Sequence, residues 1–181
     1  MEPLKLFRTL MHHPLLSDRM RPLGSAILGH GTIPIRVREL LILRTCARCG
    51  AEYEWGVHVA AFAEAAGLDA AVVARTVGAV AGDDDDAQVL RFADAMHDTA
   101  TVDDTLWATL GTRFSDAQRL EMIAIAGFYH LISFVVNAAG VEREPWGATF
   151  PAGSRGEARS GWQGRQEVSR MSARCQPLWP R

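Results

Sequence analysis

The chain has 181 residues, 48% apolar and 22% charged. That is the composition of a soluble globular protein, long enough for one sizeable core and too short for two full domains. Residues 1–151 carry 13 basic and 19 acidic side chains, a net charge of −6, whereas 152–181 carry 6 basic and 2 acidic, a net of +4. The acidic body excludes the basic face that phosphate contacts require, so nucleic acid is not an expected partner.

Apolar periodicity is helical along the whole chain, with no sustained two-residue alternation, which predicts an all-α fold of seven to eight helices. A first short helix is expected from Pro3 to His12, stopped by His13-Pro14, and a second from Leu15 to Leu28, ended by Gly29-His30-Gly31. A third starts near Pro34 and turns Val37, Leu40, Leu41, Ile42 and Leu43 inward, with Gly50 as its end or kink. A fourth spans Ala51 to Ala66 and stops at Gly67; Asp69 then caps a fifth that reaches about Val80. The run Asp83-Asp84-Asp85-Asp86 looks like a metal site, but reads better as the capped, dipole-favoured start of an amphipathic helix through Val89, Leu90, Phe92 and Met96. Thr101-Val102-Asp103-Asp104 caps the next helix, and Ser115-Asp116-Ala117-Gln118 fits a capping box before the long apolar helix Gln118 to Ala139, closed by Gly140.

The apolar stretch Met122 to Ala139 is long enough to raise a membrane question, but it contains His130, Ser133 and Asn137. A buried helix at a core or subunit contact is therefore expected, and no membrane. The three polar residues form a stripe that is expected to be satisfied across a subunit contact or to line a pocket. His12, His13, His30 and His97 have no partner pattern and read as structural or exposed. Cys46, Cys49 and Cys175 are too few and too oddly placed for a disulfide framework. The start Met1-Glu2-Pro3-Leu4-Lys5 has no secretory pattern, so a reducing, cytoplasmic setting is the expectation. From 152 onward Gly, Ser, Arg and Glu dominate, and residues 152–181 read as a flexible basic tail appended to a domain of 1–151.

The chemistry-bearing residues lie between Arg36 and His58. Glu54 and His58 are four apart and share a helix face, while Glu39 lies on the preceding helix and reaches the same space if the chain folds back at Gly50. A carboxylate beside an imidazole is a proton-transfer unit, the acid orienting the ring and raising its basicity. On spacing alone, however, the pair reads first as an ordinary solvated one on a helix surface. Tyr53 and Trp55 would wall a substrate site. Arg36, Arg38 and Arg44 read first as ion-pair partners for the acidic body; Arg36 or Arg44 is the candidate anchor for a substrate carboxylate.

These segments together resemble the carboxymuconolactone decarboxylase family, which also contains the alkylhydroperoxidase D proteins. The resemblance runs in order over residues 4–150: Leu10-Met11-His12-His13-Pro14, Ile33-Pro34-Ile35-Arg36-Val37-Arg38-Glu39-Leu40, Ile42-Leu43-Arg44, Gly50 to Trp55, His58, and Phe128-Tyr129 to Asn137-Ala138. It implies an all-helical, alkylhydroperoxidase D-like domain assembling as a homotrimer or homohexamer. It also implies acid–base chemistry on a small organic acid or lactone, without metal or organic cofactor. The proton relay of the alkylhydroperoxidase D branch maps onto Glu39 and His58, with Glu54 as an added carboxylate. That branch's cysteine pair maps onto Ala51 and Glu54, so it is absent from its usual place.

Cys46-Ala47-Arg48-Cys49 is itself a Cys-x-x-Cys, and opens a second reading as a thiol peroxidase. It lies five residues early, and on a continuous helix Cys49 would point about 140° from Glu54. No Cys/His spacing supplies the further ligands of a zinc site. A third reading is an oligomeric small-molecule-binding protein that kept the fold and lost the chemistry.

Overall fold

The computed structural model describes residues 2–152; the basic segment beyond, with Trp162, Trp179 and its arginines, lies outside the described residues. Among the described residues there are eight helices and no strand: α1 Lys5–Leu10, α2 Pro14–Gly29, α3 Ile35–Arg48, α4 Glu52–Phe62, α5 Ala70–Arg75, α6 Asp85–Thr99, α7 Asp104–Gly111 and α8 Asp116–Ala138. Asp69, Asp84 and Asp103 each accept the backbone N–H three residues on, and Ser115 and Gln118 form the reciprocal box at the start of α8. The four consecutive aspartates have separate tasks: Asp84 caps, while Asp83, Asp85 and Asp86 pair with Arg91, Arg113 and Arg36.

Boundaries shift from expectation by a residue or two at several ends, α1 being shorter at Lys5–Leu10 and α8 starting earlier at Asp116, and three differences have a clear local setting. α2 begins on Pro14 itself, whose missing N–H costs nothing at a first helical position, and His13 Nδ1 caps Leu16 N–H. α4 gives way to turns at Ala63–Gly67 rather than running to Ala66. α5 stops at Arg75, five residues early. There the Thr76 hydroxyl donates back to the Val73 carbonyl, and the carbonyls of Thr76 and Gly78 are taken by Arg44. Side-chain bonds thus compete with continuation of the helix.

α3 is the centre of the molecule, packed against α4, α6 and α8. Leu40, Leu41, Ile42 and Leu43 are all buried, so every face of this helix meets protein, as expected of an apolar run with no wet side. Arg36, Arg44 and Arg48 bind Asp86, Asp94 and Asp98, each pair separated by 50 residues. A constant offset requires α3 and α6 to run parallel, and the four- and eight-residue spacings put the ladder on one face of each helix. α3 ends at Gly50, where φ is +64° and the N–H groups of Gly50 and Ala51 bond back to the carbonyls of Ala47 and Cys46. This double bond pattern around a left-handed residue favours glycine, and it reverses the chain so that α4 lies against α3.

Two other features position the site. The segment after α8 crosses α4, with Ala148 N–H donating to the Gly56 carbonyl and Phe150 packing on Trp55 at 5.0 Å between ring centroids. A Cβ at position 56 would collide with the Ala148 carbonyl, so only glycine permits this crossing. α8 is long and apolar enough to cross a membrane by length and composition. Its Met122, Ile125, Ala126, Tyr129, Ile132, Ser133 and Val136 recur every three or four residues and are buried in the core. Leu120, Leu131 and Phe134 are left exposed, Phe134 by 60%.

Candidate active site

The turn at Gly50 brings α3 and α4 together, and α8 packs across both. Their buried polar residues converge on one imidazole. His58 Nδ1–H donates to Glu39 Oε2 at 2.7 Å; His58 Nε2 lies 3.1 Å from Tyr129 Oη and 3.5 Å from Glu54 Oε1. Glu39 is 0%, His58 3% and Glu54 6% exposed, so this is not the solvated surface pair that spacing alone suggested. Glu39 Oε1 accepts Arg38 Nε–H at 2.8 Å, and Arg38 Nη1–H donates to the Leu28 carbonyl. Two carboxylates therefore face one guanidinium and one imidazole, a balance that makes their burial tolerable. Phe62, half-buried, covers the imidazole at 5.1 Å between centroids, and the Arg38 guanidinium lies 5.7 Å from the Phe62 ring centre.

The electrostatics follow from this packing. Burial by itself would lower the His58 pKa, but hydrogen bonds donated to Glu39 and Glu54, and their charges, overcome it and raise it to about 9. The ring is therefore an imidazolium at neutral pH. Burial, then the charges of Glu54 and its neighbours, push the Tyr129 phenol well above its ordinary range, so it stays protonated. Glu54 Oε2 is buried and has no hydrogen-bond partner among the described residues, an acceptor left unused inside the cluster.

The side chains expected to hold substrate are committed elsewhere. Arg36 gives Nε and Nη2 to Asp86 and Nη1 to the Gly67 carbonyl. Arg44 is buried, forks onto Asp94 at 2.6 and 2.8 Å, and gives Nη1 to the carbonyls of Thr76 and Gly78. Both are ion-pair partners, as their first reading had it, and every guanidinium nitrogen of each is already engaged inside the protein. Tyr53 Oη accepts Leu6 N–H and donates to Glu144 Oε1, which also accepts Lys5 N–H, so it ties α1 to the final segment. Trp55 Nε1–H donates to Thr76 Oγ1 beneath Phe150. These two brace the fold rather than wall a site. Arg38, which the sequence reads only as an ion-pair partner, and Tyr129, to which it assigns no role, take their places beside His58. The only sequence signal for them is adjacency, Arg38 to Glu39, and Tyr129 to the Phe128-Tyr129 pair of the resemblance.

Cys46 is fully buried, and burial followed by the Glu54 charge holds its thiol well above the ordinary value. Cys49 caps the end of α3, half-buried, and burial raises its thiol to about 11. Neither supplies thiolate at neutral pH. Each residue of the stripe on α8 finds a partner within the chain. Asn137 Nδ2–H donates to the Cys49 carbonyl, the Ser133 hydroxyl approaches Cys46 Sγ at 3.9 Å, and His130 meets His97. His97 is thus neither isolated nor patternless: burial, then electrostatic interaction with His130 and the Arg48 guanidinium, hold it below its usual pKa. Packing α3, α6 and α8 gathers Cys49, His97 and His130, which sequence spacing gave no means of grouping.

No curated protein and no solved structure matches the chain. The model of the carboxymuconolactone decarboxylase family matches residues 14–98, which include Glu39, Glu54 and His58. The match covers just under half of the chain, and the all-helical architecture and the ordered segments on either side of Gly50 fit that family.

Proposed function

We propose that the protein is a cofactor-independent acid–base enzyme of the decarboxylase-like kind, acting on a small organic acid or lactone with a carbonyl next to the reacting carbon. The observation that carries this reading is the buried His58 imidazolium between two carboxylates, one of which keeps an unpartnered oxygen. His58 Nε2 supplies a proton, Glu39 holds the ring through Nδ1, and Glu54 Oε2 is the acceptor that takes a proton or returns one to the ring. Loss of carbon dioxide leaves its bonding electrons on the adjacent carbon as an enolate. The His58 proton quenches that enolate, and solvent restores the proton through Glu54. With Arg36 and Arg44 committed elsewhere, Arg38 is the anchor for the substrate carboxylate: Nε and Nη1 are engaged inside the protein, and Nη2 makes no hydrogen bond to the described residues. Substrate reaches the site at the half-buried Phe62 and Arg38.

Self-association as a homotrimer or homohexamer belongs to the same proposal, supported by the exposed Leu120, Leu131 and Phe134 of α8, with no membrane or nucleic acid involved. The setting is cytoplasmic. The raised thiols of Cys46 and Cys49 disfavour the peroxidase reading.

The test is deuterium wash-in and carbon dioxide release on a panel of lactone acids and β-keto acids, carboxymuconolactone among them. His58→Gln is expected to abolish both on whichever member turns over. Undiminished turnover by His58→Gln removes the proposal, and a panel that binds without exchanging protons favours the non-catalytic binding protein.

A further inference from the structure

At the far end of α3 from Glu39 lies a second polar cluster with a different chemistry. Cys49 comes from the C-terminal cap of α3, His97 from the last turn of α6 and His130 from the middle of α8. Cys49 Sγ is 3.8 Å from His97 Nδ1, His97 Nδ1 is 3.0 Å from His130 Nε2, and all three atoms lie within 4.8 Å of one another. Zinc bonds sulfur at about 2.3 Å and imidazole nitrogen at about 2.0–2.1 Å, so the edges of a tetrahedral site are about 3.6 Å for S···N and about 3.3 Å for N···N. The two measured edges differ from these by a few tenths of an ångström.

The surroundings suit a cation. His130 Nδ1–H donates to the Ala126 carbonyl at 2.8 Å, which fixes the tautomer and leaves Nε2 as a bare lone pair facing the cluster. The two rings stack at 24° with centroids 5.2 Å apart, so their facing nitrogens are held by packing. Asn137 holds the Cys49 carbonyl. The nearest fixed positive charge, Arg48, is paired with Asp98 and Asp94. All three residues are half-buried, which leaves the cluster partly open to solvent.

We infer that Cys49, His97 and His130 form a site for one divalent transition cation of the zinc class, with the fourth position open to water or a small ligand. The site is independent of the His58 cluster. Tyr129 and His130 are consecutive on α8 and diverge by about 100°, so one helix serves both centres from different faces.

The test uses the reduced full-length chain, stripped with chelator and titrated with cobalt(II). A near-ultraviolet thiolate-to-cobalt charge-transfer band, saturating at one cobalt per chain and abolished by zinc, is expected. Cys49→Ser removes the band, and His97→Ala and His130→Ala each weaken binding at least about tenfold, a loss that even outer-shell changes produce. Cys46→Ser and Cys175→Ser retain the band. Far-ultraviolet circular dichroism establishes that each variant is folded; should His130→Ala unfold, His97→Ala and Cys49→Ser decide. A wild-type chain without the band overturns the inference, as does a band that survives Cys49→Ser or disappears in Cys46→Ser or Cys175→Ser.

Discussion

The two polar clusters at opposite ends of α3 use the same scaffold for opposite purposes. Glu39 and Cys49 are ten residues apart, about 15 Å along the helix. Around Glu39 the charges are answered: buried Glu39, His58 and Glu54 balance with the half-buried Arg38, and the imidazole is forced into its charged form. Around Cys49 the donors are half-exposed and His97 is held below its usual pKa. The first arrangement stores a proton; the second offers lone pairs to a cation. What separates them is depth and the sign of the neighbouring charges, because desolvation and Coulomb interactions set which form of a histidine persists.

The sharpest way to break this contrast is to exchange functions. His58→Gln is expected to cost about a hundredfold or more in proton exchange and to leave the cobalt band untouched. His97→Ala is expected to do the reverse. A variant that abolishes both would show that the clusters act as one unit. Next in size is Arg44→Met, which leaves Asp94 only its longer contact to Arg48 and frees two carbonyls beside the middle rung of the α3–α6 ladder. It is expected to cost about 3 kcal/mol in urea unfolding, and to leave the KM of the folded fraction unchanged. An increase in KM would return Arg44 to the substrate.

A smaller effect follows from the raised pKa of His58. A group whose folded pKa lies above its unfolded value stabilises the fold fully below the unfolded pKa, and loses that contribution as pH passes the folded one. Stability of the wild type is therefore expected to decline from about pH 6.5 to above pH 9, measured by urea midpoints. His58→Gln should flatten that window; a wild-type curve that rises there would mean the ring is neutral. Smallest is Ser115→Ala, which removes the capping box of α8 far from either cluster. It is expected to cost about 1 kcal/mol in thermal or urea unfolding with proton exchange and cobalt binding intact.

The sequence by itself determined the helices and where they begin. Asp69, Asp84, Asp103 and Ser115 cap within a few residues of their own position, and Gly50 turns the chain through its own φ, so these are local events that spacing records. It also carried Glu39, Glu54 and His58 as a set, through helical spacing and family resemblance. Burial and partner choice were decided only by the tertiary structure. Whether Glu54 and His58 sit in water or in the core depends on what α8 lays over them. Whether Arg44 meets a substrate or Asp94 depends on α6 running parallel to α3 at an offset of 50 residues. The same packing unites Cys49, His97 and His130, which lie 48 and 33 residues apart in the chain. Contacts at such separations are fixed by the hydrophobic surfaces that bring helices together, and the polar residues caught between them acquire their chemistry from that enclosure.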